Sequence, residues 1–351
     1  MNLRGIVLSA IMLAAWPLAA REKSDVLVMK NGDRLTCEIK SLSADVLYIK
    51  LDYALGTVSI NWFEIDHLES NQLFVVKTQG GEVYSGTLSM PKTESGRPAS
   101  IEVINEPGEK LELERDQIAK MDQSFENWWD RFNGSVGIGA IYNKGNQSTQ
   151  YDLAADVNYP RERWSASVAY NSTLSSNNGV PASSRNQIDA SAQHLLPWNH
   201  WFYTGFASFL QSTEQGIDLQ SSFGGGVGRY LKNTNHTSIS VAGGFAFQRI
   251  NYQQNIVVAP AQDVASGWVN AQAKLFKFDR TNLIVTASLL PSLSDPGRVH
   301  FNVNTSYFIK IWSNFKFNVS FYGSWDSQPP PGFAGSDYGT STGLNWTFGN
   351  R

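Results

Sequence analysis

The chain has 351 residues, with 28 Lys+Arg against 31 Asp+Glu, so its net charge is −3. This balance argues against a nucleic-acid partner, which would require an excess of positive charge. The single cysteine, Cys37, excludes an internal disulfide framework and any multi-cysteine metal site. Aromatic residues make up 12% of the chain and charged residues only 17%, a composition atypical of a disordered protein or an ordinary cytosolic enzyme.

Residues 1–20 have the layout of a secretory signal peptide. Arg4 precedes a mostly apolar stretch from Ile6 to Leu18, and Ala19-Ala20 follow it, which predicts cleavage after Ala20. The apolar stretch is shorter than the about 20 residues that a membrane-spanning helix needs. No later segment reaches 18 consecutive apolar residues, so we expect the chain to be exported whole.

The mature chain changes character near Phe125. Residues 21–125 carry 30 charged side chains, whereas the 226 residues of 126–351 carry only 28. Of the 43 aromatic residues, 35 lie after Phe125. A charged first half and a charge-poor, aromatic-rich second half indicate two different solvents.

The first half contains an internal repeat, which predicts two small SH3-like or Sm-like β units, 21–70 and 71–125. Four runs of the first unit are echoed in the second: 25–33 by 72–81, 35–39 by 83–88, 46–49 by 101–104, and 58–62 by 111–114. Asn31-Gly32 is a type I′ hairpin signal, because both residues accept positive φ. Each unit is expected to end in a polar helical turn, over 63–68 and 116–121. Folds of this kind serve many functions, so they imply no ligand.

The second half alternates apolar and polar side chains over long runs. Between Phe315 and Trp325, for example, apolar residues alternate with Lys316, Asn318 and Ser320, so a strand here has one apolar face. A soluble β-sandwich also alternates, but its strands average about 5–6 residues. Phe315 and Trp325 are separated by roughly 33 Å of strand, enough for a tilted strand to cross the about 25 Å apolar band of an outer-membrane barrel.

This pattern predicts an all-β chain whose residues 126–351 form an antiparallel transmembrane β-barrel. Its about twelve strands are expected at 132–143, 149–159, 163–173, 186–196, 200–210, 218–230, 236–251, 263–278, 281–291, 298–311, 315–326 and 337–349. Aromatic residues near strand ends form the expected girdle: Trp164, Tyr170, Phe315, Trp325, Trp346 and Phe348.

The connections alternate between short turns and mostly longer, polar loops. Outer-membrane barrels have short turns on the periplasmic side and long loops outside. An even strand number brings both barrel ends to the short-turn side. We therefore expect the barrel in the outer membrane of a Gram-negative bacterium, with residues 21–125 in the periplasm.

Strand parity predicts which charged side chains line the lumen. The candidates are Asp152, Asp156, Asp189, Lys274, Lys310, Lys316 and Asp326. In a hydrated pore, separated charges would create a transverse field that selects small polar solutes. In a plugged structural barrel the same charges would pair and close the lumen. The side chains are equally consistent with solvated walls that have no specificity.

Two segments also resemble a known family. The run Gly139–Asn146, which follows Trp128–Phe132, and the run Arg185–Asp189 are similar to the salt-induced outer membrane protein (YdiY-like) family. The resemblance covers about 220 residues, and the first half looks like a periplasmic module found ahead of the barrel in some members. It implies an outer-membrane barrel and supplies no catalytic residue. Many outer-membrane proteins end in an aromatic residue, whereas here Gly-Asn-Arg follows the aromatic Phe348.

Catalytic chemistry finds little support in the sequence. None of the five histidines lies at metal-ligand spacing from another His or Cys. His194 has the parity of the apolar face and is the one candidate for a lipid hydrolase, but no G-x-S-x-G motif accompanies it. The glycine run 224–228 lacks the Lys-Ser/Thr of a phosphate loop and lies within a strand, where glycine relieves crowding or bends the sheet. We expect no catalytic residue, metal or cofactor.

The leading hypothesis is a non-enzymatic outer-membrane barrel that gives passive passage to small polar solutes or ions. The first alternative is a structural envelope protein whose residues 21–125 bind a periplasmic protein or the cell wall. The second is an outer-membrane lipid hydrolase. In each case outer-membrane lipid is an expected partner and nucleic acid is not.

Overall fold

The structure is a computed structural model that describes residues 23–91, 99–105, 108–124, 128–143, 148–177, 180–197, 200–253, 261–278, 281–312, 314–329 and 334–349. The predicted signal peptide, 1–20, lies outside these ranges. The described chain is all-β, with three short 3-10 turns. None of its helices is long and apolar enough to cross a membrane.

The N-terminal module begins with a five-strand meander. Its strands are β1 (Asp25–Met29), β2 (Arg34–Ser43), β3 (Val46–Lys50), β4 (Thr57–Asn61) and the first half of β5 (Ile65–Thr78). β5 returns antiparallel to β1, with Leu27 opposite Leu68. A 3-10 turn, Trp62–Glu64, precedes this return. A meander whose last strand pairs with its first is an SH3-like unit.

The second half of β5 starts a second unit of the same plan. It continues through β6 (Val83–Met90), β7 (Ser100–Ile104), β8 (Lys110–Glu114), a 3-10 turn at Arg115–Gln117 and β9 (Ile118–Gln123). β9 returns to pair with the second half of β5. The register of β5 against β6 shifts between Ser70 and Phe74, so the predicted boundary between 70 and 71 coincides with this irregularity. The predicted repeat thus appears as two SH3-like units that share one long strand.

The two units also share one hydrophobic core. Leu27, Ile39, Phe74 and Met121 are fully buried members of a single cluster that extends over both units, and β9 pairs with β2 as well as β5. The prediction of helical turns at 63–68 and 116–121 is mostly wrong, because the helical residues are confined to the 3-10 turns Trp62–Glu64 and Arg115–Gln117. Residues 65–68 and 118–121 are strand, because they carry the returning strand of each unit.

Twelve antiparallel strands form a closed barrel, in which each strand pairs with its sequence neighbours and β10 pairs with β21. They are β10 (Asn133–Asn143), β11 (Ser148–Pro160), β12 (Trp164–Asn177), β13 (Val180–Leu195), β14 (Trp201–Ser212), β15 (Ile217–Asn233), β16 (Thr237–Tyr252), β17 (Ala261–Phe278), β18 (Thr281–Pro291), β19 (Val299–Trp312), β20 (Phe315–Asp326) and β21 (Ser336–Phe348). The predicted fold class and strand number are confirmed.

Several barrel strands extend beyond the predicted bounds. The loop expected over 173–186 is mostly strand, since β12 continues to Asn177 and β13 begins at Val180. Ser and Thr occupy both faces of this hairpin, so the apolar–polar alternation used for prediction stops before the backbone ladder does. The apolar–polar alternation extends only over the part of each strand that lies in the apolar band, whereas the backbone hydrogen bonds between strands continue beyond this band on the long-loop side.

The outer face of the barrel is apolar and exposed. Along β21, Leu344 and Trp346 are 52% and 45% exposed, whereas the intervening Asn345 is only 4% exposed. Trp312 and Phe245 are more exposed still, at 76% and 72%. An apolar exterior around a closed sheet is the surface of a membrane-spanning barrel, because closure leaves no backbone group without a partner in hydrocarbon.

Candidate functional site

The acidic side chains expected in the lumen lie on the inner strand faces. Asp156 accepts hydrogen bonds from the Ser135 hydroxyl and from Asn158 Nδ2, the latter at 2.8 Å. Asp152 accepts a 2.8 Å bond from Thr173 Oγ1 on the neighbouring strand. These donors are neutral and hold the two carboxylates in fixed orientations.

Asp189 is held in the same way. Ser208 Oγ donates to Asp189 Oδ1 at 2.6 Å, and Gln187 Nε2 donates to both carboxylate oxygens at 2.9 and 3.0 Å. Together, the three carboxylates lie on β11 and β13 of one side of the barrel.

The basic candidates lie on β17, β19 and β20, also on inner faces. Lys310 and Lys316 are register partners at the short-turn end, and Lys274 lies on β17. Lys310 Nζ lies 5.3 Å from the ring centroid of Tyr48, which belongs to the N-terminal module. Lys310 therefore faces the module as well as the lumen.

Two arginines that the sequence reasoning missed form ion pairs with carboxylates inside the barrel. The first, Arg185, donates from Nη1 to Asp337 Oδ2 at 2.6 Å. Its guanidinium lies 4.9 Å from the ring centroid of Tyr322, and Ser212 Oγ also donates to Asp337, at 3.3 Å. Arg185 is on β13 and Asp337 on β21, with β10, β11 and β12 between them, so this pair crosses the lumen.

The second arginine, Arg298, is 2% exposed and binds Asp326 through two contacts. Its Nε and Nη2 donate to the two oxygens of Asp326 at 3.1 and 2.6 Å. Nη2 also donates to the Tyr252 hydroxyl at 3.2 Å, and Nη1 donates to Gln262 Oε1 at 2.6 Å. This bridge joins β16 and β17 to β20 at the long-loop end, so Asp326 is a paired group.

A parity signal for Arg185 was present in the sequence. Arg185, Gln187 and Asp189 follow one face of β13, but the predicted strand began at 186, which left Arg185 in a loop. Arg298 immediately precedes β19; it has the parity of His300 in the predicted strand 298–311 but was not included among the lumen candidates. Its main partner, Asp326, lies opposite His300 on the next strand, whereas Tyr252 and Gln262 come from strands farther away in the sequence.

One side of the inner wall is apolar, which differs from the expected polar lining. Phe202, Phe206, Trp268 and Leu290 belong to one inward cluster, and the rings of Phe206 and Trp268 are 5.0 Å apart. The glycine run of β15 accommodates these rings.

A Cβ added at Gly224 would lie 2.5 Å from the Phe206 ring, and one at Gly228 would lie 2.4 Å from the Phe202 ring. The glycines relieve crowding, as interpreted from the sequence, and an aromatic cluster on β14 to β18 interrupts the polar lining of the lumen.

The predicted girdle residues lie on the outer face. Trp164, Phe315, Trp325 and Trp346 are 42–47% exposed, and Phe348 ends β21 beside Trp346, with ring centroids 5.7 Å apart. Tyr170 departs from the expectation because β12 continues to Asn177, which places Tyr170 in mid-strand.

His194 occupies the outer face near the short turns, opposite Trp164 on β12 and Tyr203 on β14. In the described part of the chain, no group of three His, Cys, Asp or Glu side chains could hold a metal ion.

The N-terminal module contacts the short-turn mouth of the barrel at several points. Asn235 Nδ2 donates to Asp45 at 2.7 Å, and His236 Nε2 donates to the other oxygen of that carboxylate. On another turn, His200 Nε2 donates to the backbone carbonyl of Gln79.

A charged residue in another short turn of the barrel, Glu162, also influences a lysine of the module, Lys77. Burial lowers the pKa of Lys77 and nearby Lys120 lowers it further, while Asp122 and Glu162 oppose the shift. Glu162 belongs to the first short turn of the barrel. With Lys310 near the last short turn, the contacts lie at separate points around the mouth, so the module covers it.

A model of one protein family matches residues 136–348. The chain belongs to the family described as "Protein of unknown function, DUF481". The predicted resemblance to the YdiY-like family is confirmed, since that family is DUF481. The matched range contains both Arg185 and Arg298, whereas the module and Trp128–Phe132 precede it.

No curated protein matches this DUF481 chain. Among solved structures, the translocator domain of the autotransporter NalP from Neisseria meningitidis is 12% identical, with 62% of this chain and 87% of that chain covered and a TM-score of 0.36. The NanC porin is 9% identical, with 62% and 100% covered and a TM-score of 0.39. An outer-membrane channel from Pseudomonas putida F1 is 7% identical, with 62% and 94% covered and a TM-score of 0.34.

Proposed function

We propose that this DUF481 protein is a non-enzymatic outer-membrane barrel of a Gram-negative bacterium that gives passive passage to small polar solutes or ions. The observation that carries the proposal is the closed barrel itself, with an apolar exterior and charged side chains on the inner wall. Charged side chains are costly to bury in a dry interior, whereas water in a hydrated lumen would solvate the charged side chains of the inner wall.

The long-loop half of the lumen is narrowed by side chains that can separate. The Arg185–Asp337 pair crosses the interior, and the Arg298–Asp326 pair ties two strand groups together. Rotamer changes of four side chains would widen this region without breaking a backbone hydrogen bond. The structure therefore corresponds to a restricted state of the proposed pore.

The N-terminal module supplies the second restriction. Both ends of an even-stranded barrel lie on one side, so a module preceding β10 lies at the short-turn mouth. We propose that this mouth faces the periplasm and that the module acts there as a lid. The predicted export signal at 1–20 supports this location.

The test is single-channel recording of the purified full-length protein in planar bilayers. We expect discrete conductance steps, and larger steps from Arg185→Gln, because this change removes one half of the cross-lumen pair. Arg249→Gln is the matched control, since Arg249 is 60% exposed and 3.9 Å from Asp263; its steps should equal those of the wild type. A protein that inserts without any conductance step would overturn the pore.

A second candidate function, a structural envelope protein, is favoured by one feature of the module. Between β3 and β4, Tyr53 and Leu55 are 77% and 104% exposed, an arrangement suited to contact with a periplasmic protein or the cell wall. Cosedimentation with purified peptidoglycan tests the second of these partners. Binding that Leu55→Ser abolishes would support this function, and absence of cosedimentation would remove the cell wall as the partner.

A further inference from the structure

Two basic side chains lie on the outer surface of the barrel at its short-turn end. Arg229 and Lys232 belong to the last five residues of β15, and both are exposed. Arg229 is the register partner of Trp201 on β14, an outer-face residue that is 39% exposed. The guanidinium of Arg229 lies 5.9 Å from the centroid of the Trp201 ring. This rim of the outer face therefore carries a cation beside an aromatic ring.

A β-bulge turns Lys232 to the same face as Arg229. In a regular strand, positions 229 and 232 would point to opposite faces. The register of β15 against β16 shifts after position 230, so Leu231 is an extra residue without a partner on β16. Lys232 is then opposite Ile239, which points outward because the adjacent Ser240 points inward and is only 8% exposed. Residues directly opposite each other share a face, so the bulge brings two positive charges to the outer surface.

These two basic groups form no ion pair with a carboxylate in the part of the chain that the structure describes. A third outer-face cation, Arg249, lies at the long-loop end of β16 and has a carboxylate oxygen of Asp263 3.9 Å away. At the short-turn end, an anion from outside the protein would have to balance Arg229 and Lys232. The anionic groups at the surface of a bilayer are the phosphates of lipid headgroups, which attract Arg and Lys.

The outer face beside Arg229 also has room for an acyl chain. Toward the bilayer centre, Val227 is 40% exposed and pairs with Gly243 of β16. A Cβ added at Gly243 would meet only the carbonyl oxygen of Trp268, 3.7 Å away, so the surface above this glycine is open. Phe245, on the same face of β16, is 72% exposed and forms one wall of the shallow depression. An acyl chain that descends from a headgroup at Arg229 would pack along this depression.

We propose that Arg229, Lys232 and Trp201 form a binding site for the headgroup of an anionic phospholipid in the leaflet next to the short turns. The guanidinium binds the phosphate through two parallel hydrogen bonds, and the ammonium adds a second positive charge. The indole lies at the boundary between headgroups and hydrocarbon, where tryptophan is enriched. A zwitterionic lipid carries its own ammonium, which both basic side chains repel. The inference goes beyond the proposed passage of solutes, because it requires only a barrel inserted in a membrane.

The test is native mass spectrometry of the full-length protein in detergent, titrated with phosphatidylglycerol as the anionic probe and phosphatidylcholine as the zwitterionic probe. We expect the first phosphatidylglycerol to bind more tightly than phosphatidylcholine. Arg229→Gln should raise the dissociation constant for phosphatidylglycerol roughly fivefold, the worth of one basic side chain at a membrane surface. Lys232→Gln should have a similar effect. Arg229→Lys keeps the charge without the planar fork and should weaken binding less than Arg229→Gln.

Arg249→Gln is the matched control, because it removes the same charge from an exposed outer-face arginine at the opposite end of the barrel. Its affinity for phosphatidylglycerol should equal that of the wild type. Equal losses for Arg229→Gln and Arg249→Gln would show that overall charge alone attracts the lipid, and would overturn the site. Equal affinity of the wild type for the two lipids would also overturn it. Displacement of phosphatidylglycerol by the same concentration of inorganic phosphate would do so too, because the site would then bind a free anion.

Discussion

The module and the barrel follow the same strand alternation and place their apolar side chains in opposite directions. In the module, Trp62 and Phe74 are buried in a common core. In the barrel, Phe245 and Trp312 point outward and are among the most exposed residues of the described chain. Sequence alternation therefore defines two strand faces, and the solvent around each domain decides which face becomes the interior.

Buried arginines also serve the two regions differently. Arg115 follows β8 just as Trp62 follows β4, and its guanidinium lies 5.3 Å from the Trp62 ring centroid. Its Nη2 donates to the Ile65 carbonyl at 2.5 Å, which joins the two SH3-like units. In the barrel, Arg185 and Arg298 instead bind carboxylates in the lumen. The module uses its arginine to hold a core together, whereas the barrel uses two to narrow a passage.

The largest expected effect tests the buried core of the module. Phe74→Ala should destabilise the module by about 3–5 kcal/mol, because it leaves a cavity between the two units. The measurement is labelling of the lone thiol of Cys37 during urea titration, which reports opening of this core. Phe63→Ala is the control, since Phe63 is 38% exposed. Equal losses for the two variants would contradict a common core around Phe74.

A charge on the outer face tests the barrel side of the comparison. Val168→Arg, on β12, should cost about 2–4 kcal/mol in lipid vesicles, measured by urea unfolding. Leu55→Arg, on a fully exposed loop of the module, should change stability by no more than about 0.5 kcal/mol. If Val168→Arg were as mild as its control, the outer face would be in contact with water.

The glycine sites of β15 test the inner wall. Gly228→Val should cost about 1–3 kcal/mol, because its side chain would collide with Phe202. The control is Gly243→Val on β16, where the nearest atom to a Cβ is 3.7 Å away. Urea unfolding in vesicles should separate the two variants, and identical curves would show that Phe202 does not occupy the space beside Gly228.

The smallest effect concerns Cys37, which is fully buried. Burial, followed by the charges of Asp25 and Glu38, raises the pKa of its thiol to about 12. The raised pKa favours the neutral thiol, so this contribution to stability is complete at neutral pH and is lost as pH rises through the folded-state value. A thiol reagent at pH 8 should react only after urea unfolds the module. Rapid labelling of the folded protein would contradict the burial.

Local patterns predicted the strands far better than the contacts between them. The alternation around Phe315 and the Asn31-Gly32 turn depend on neighbouring residues, which a sequence displays directly. The pair Arg185–Asp337 depends on barrel closure, which brings together two residues that are 152 positions apart in the sequence. Arg298 and Asp326 lie on one hairpin, but the hydrogen bonds of Arg298 to Tyr252 and Gln262 also join strands that are not neighbours in sequence. The inward aromatic cluster was missed for a similar reason. Phe202 and Trp268 lie on separate strands, and the glycines opposite them, Gly228 and Gly244, become their neighbours only when the strands pair.

Coverage of the mouth by the module links both regions and is the central claim. Tyr48→Cys and Lys310→Cys place two thiols across the contact, and a short reducible bis-thiosulfonate reagent can join them while buried Cys37 stays unreactive. In planar bilayers, we expect the cross-linked protein to remain silent and discrete conductance steps to appear after reduction, with each single-cysteine variant unaffected by the reagent. Equal conductance before and after reduction would contradict the account.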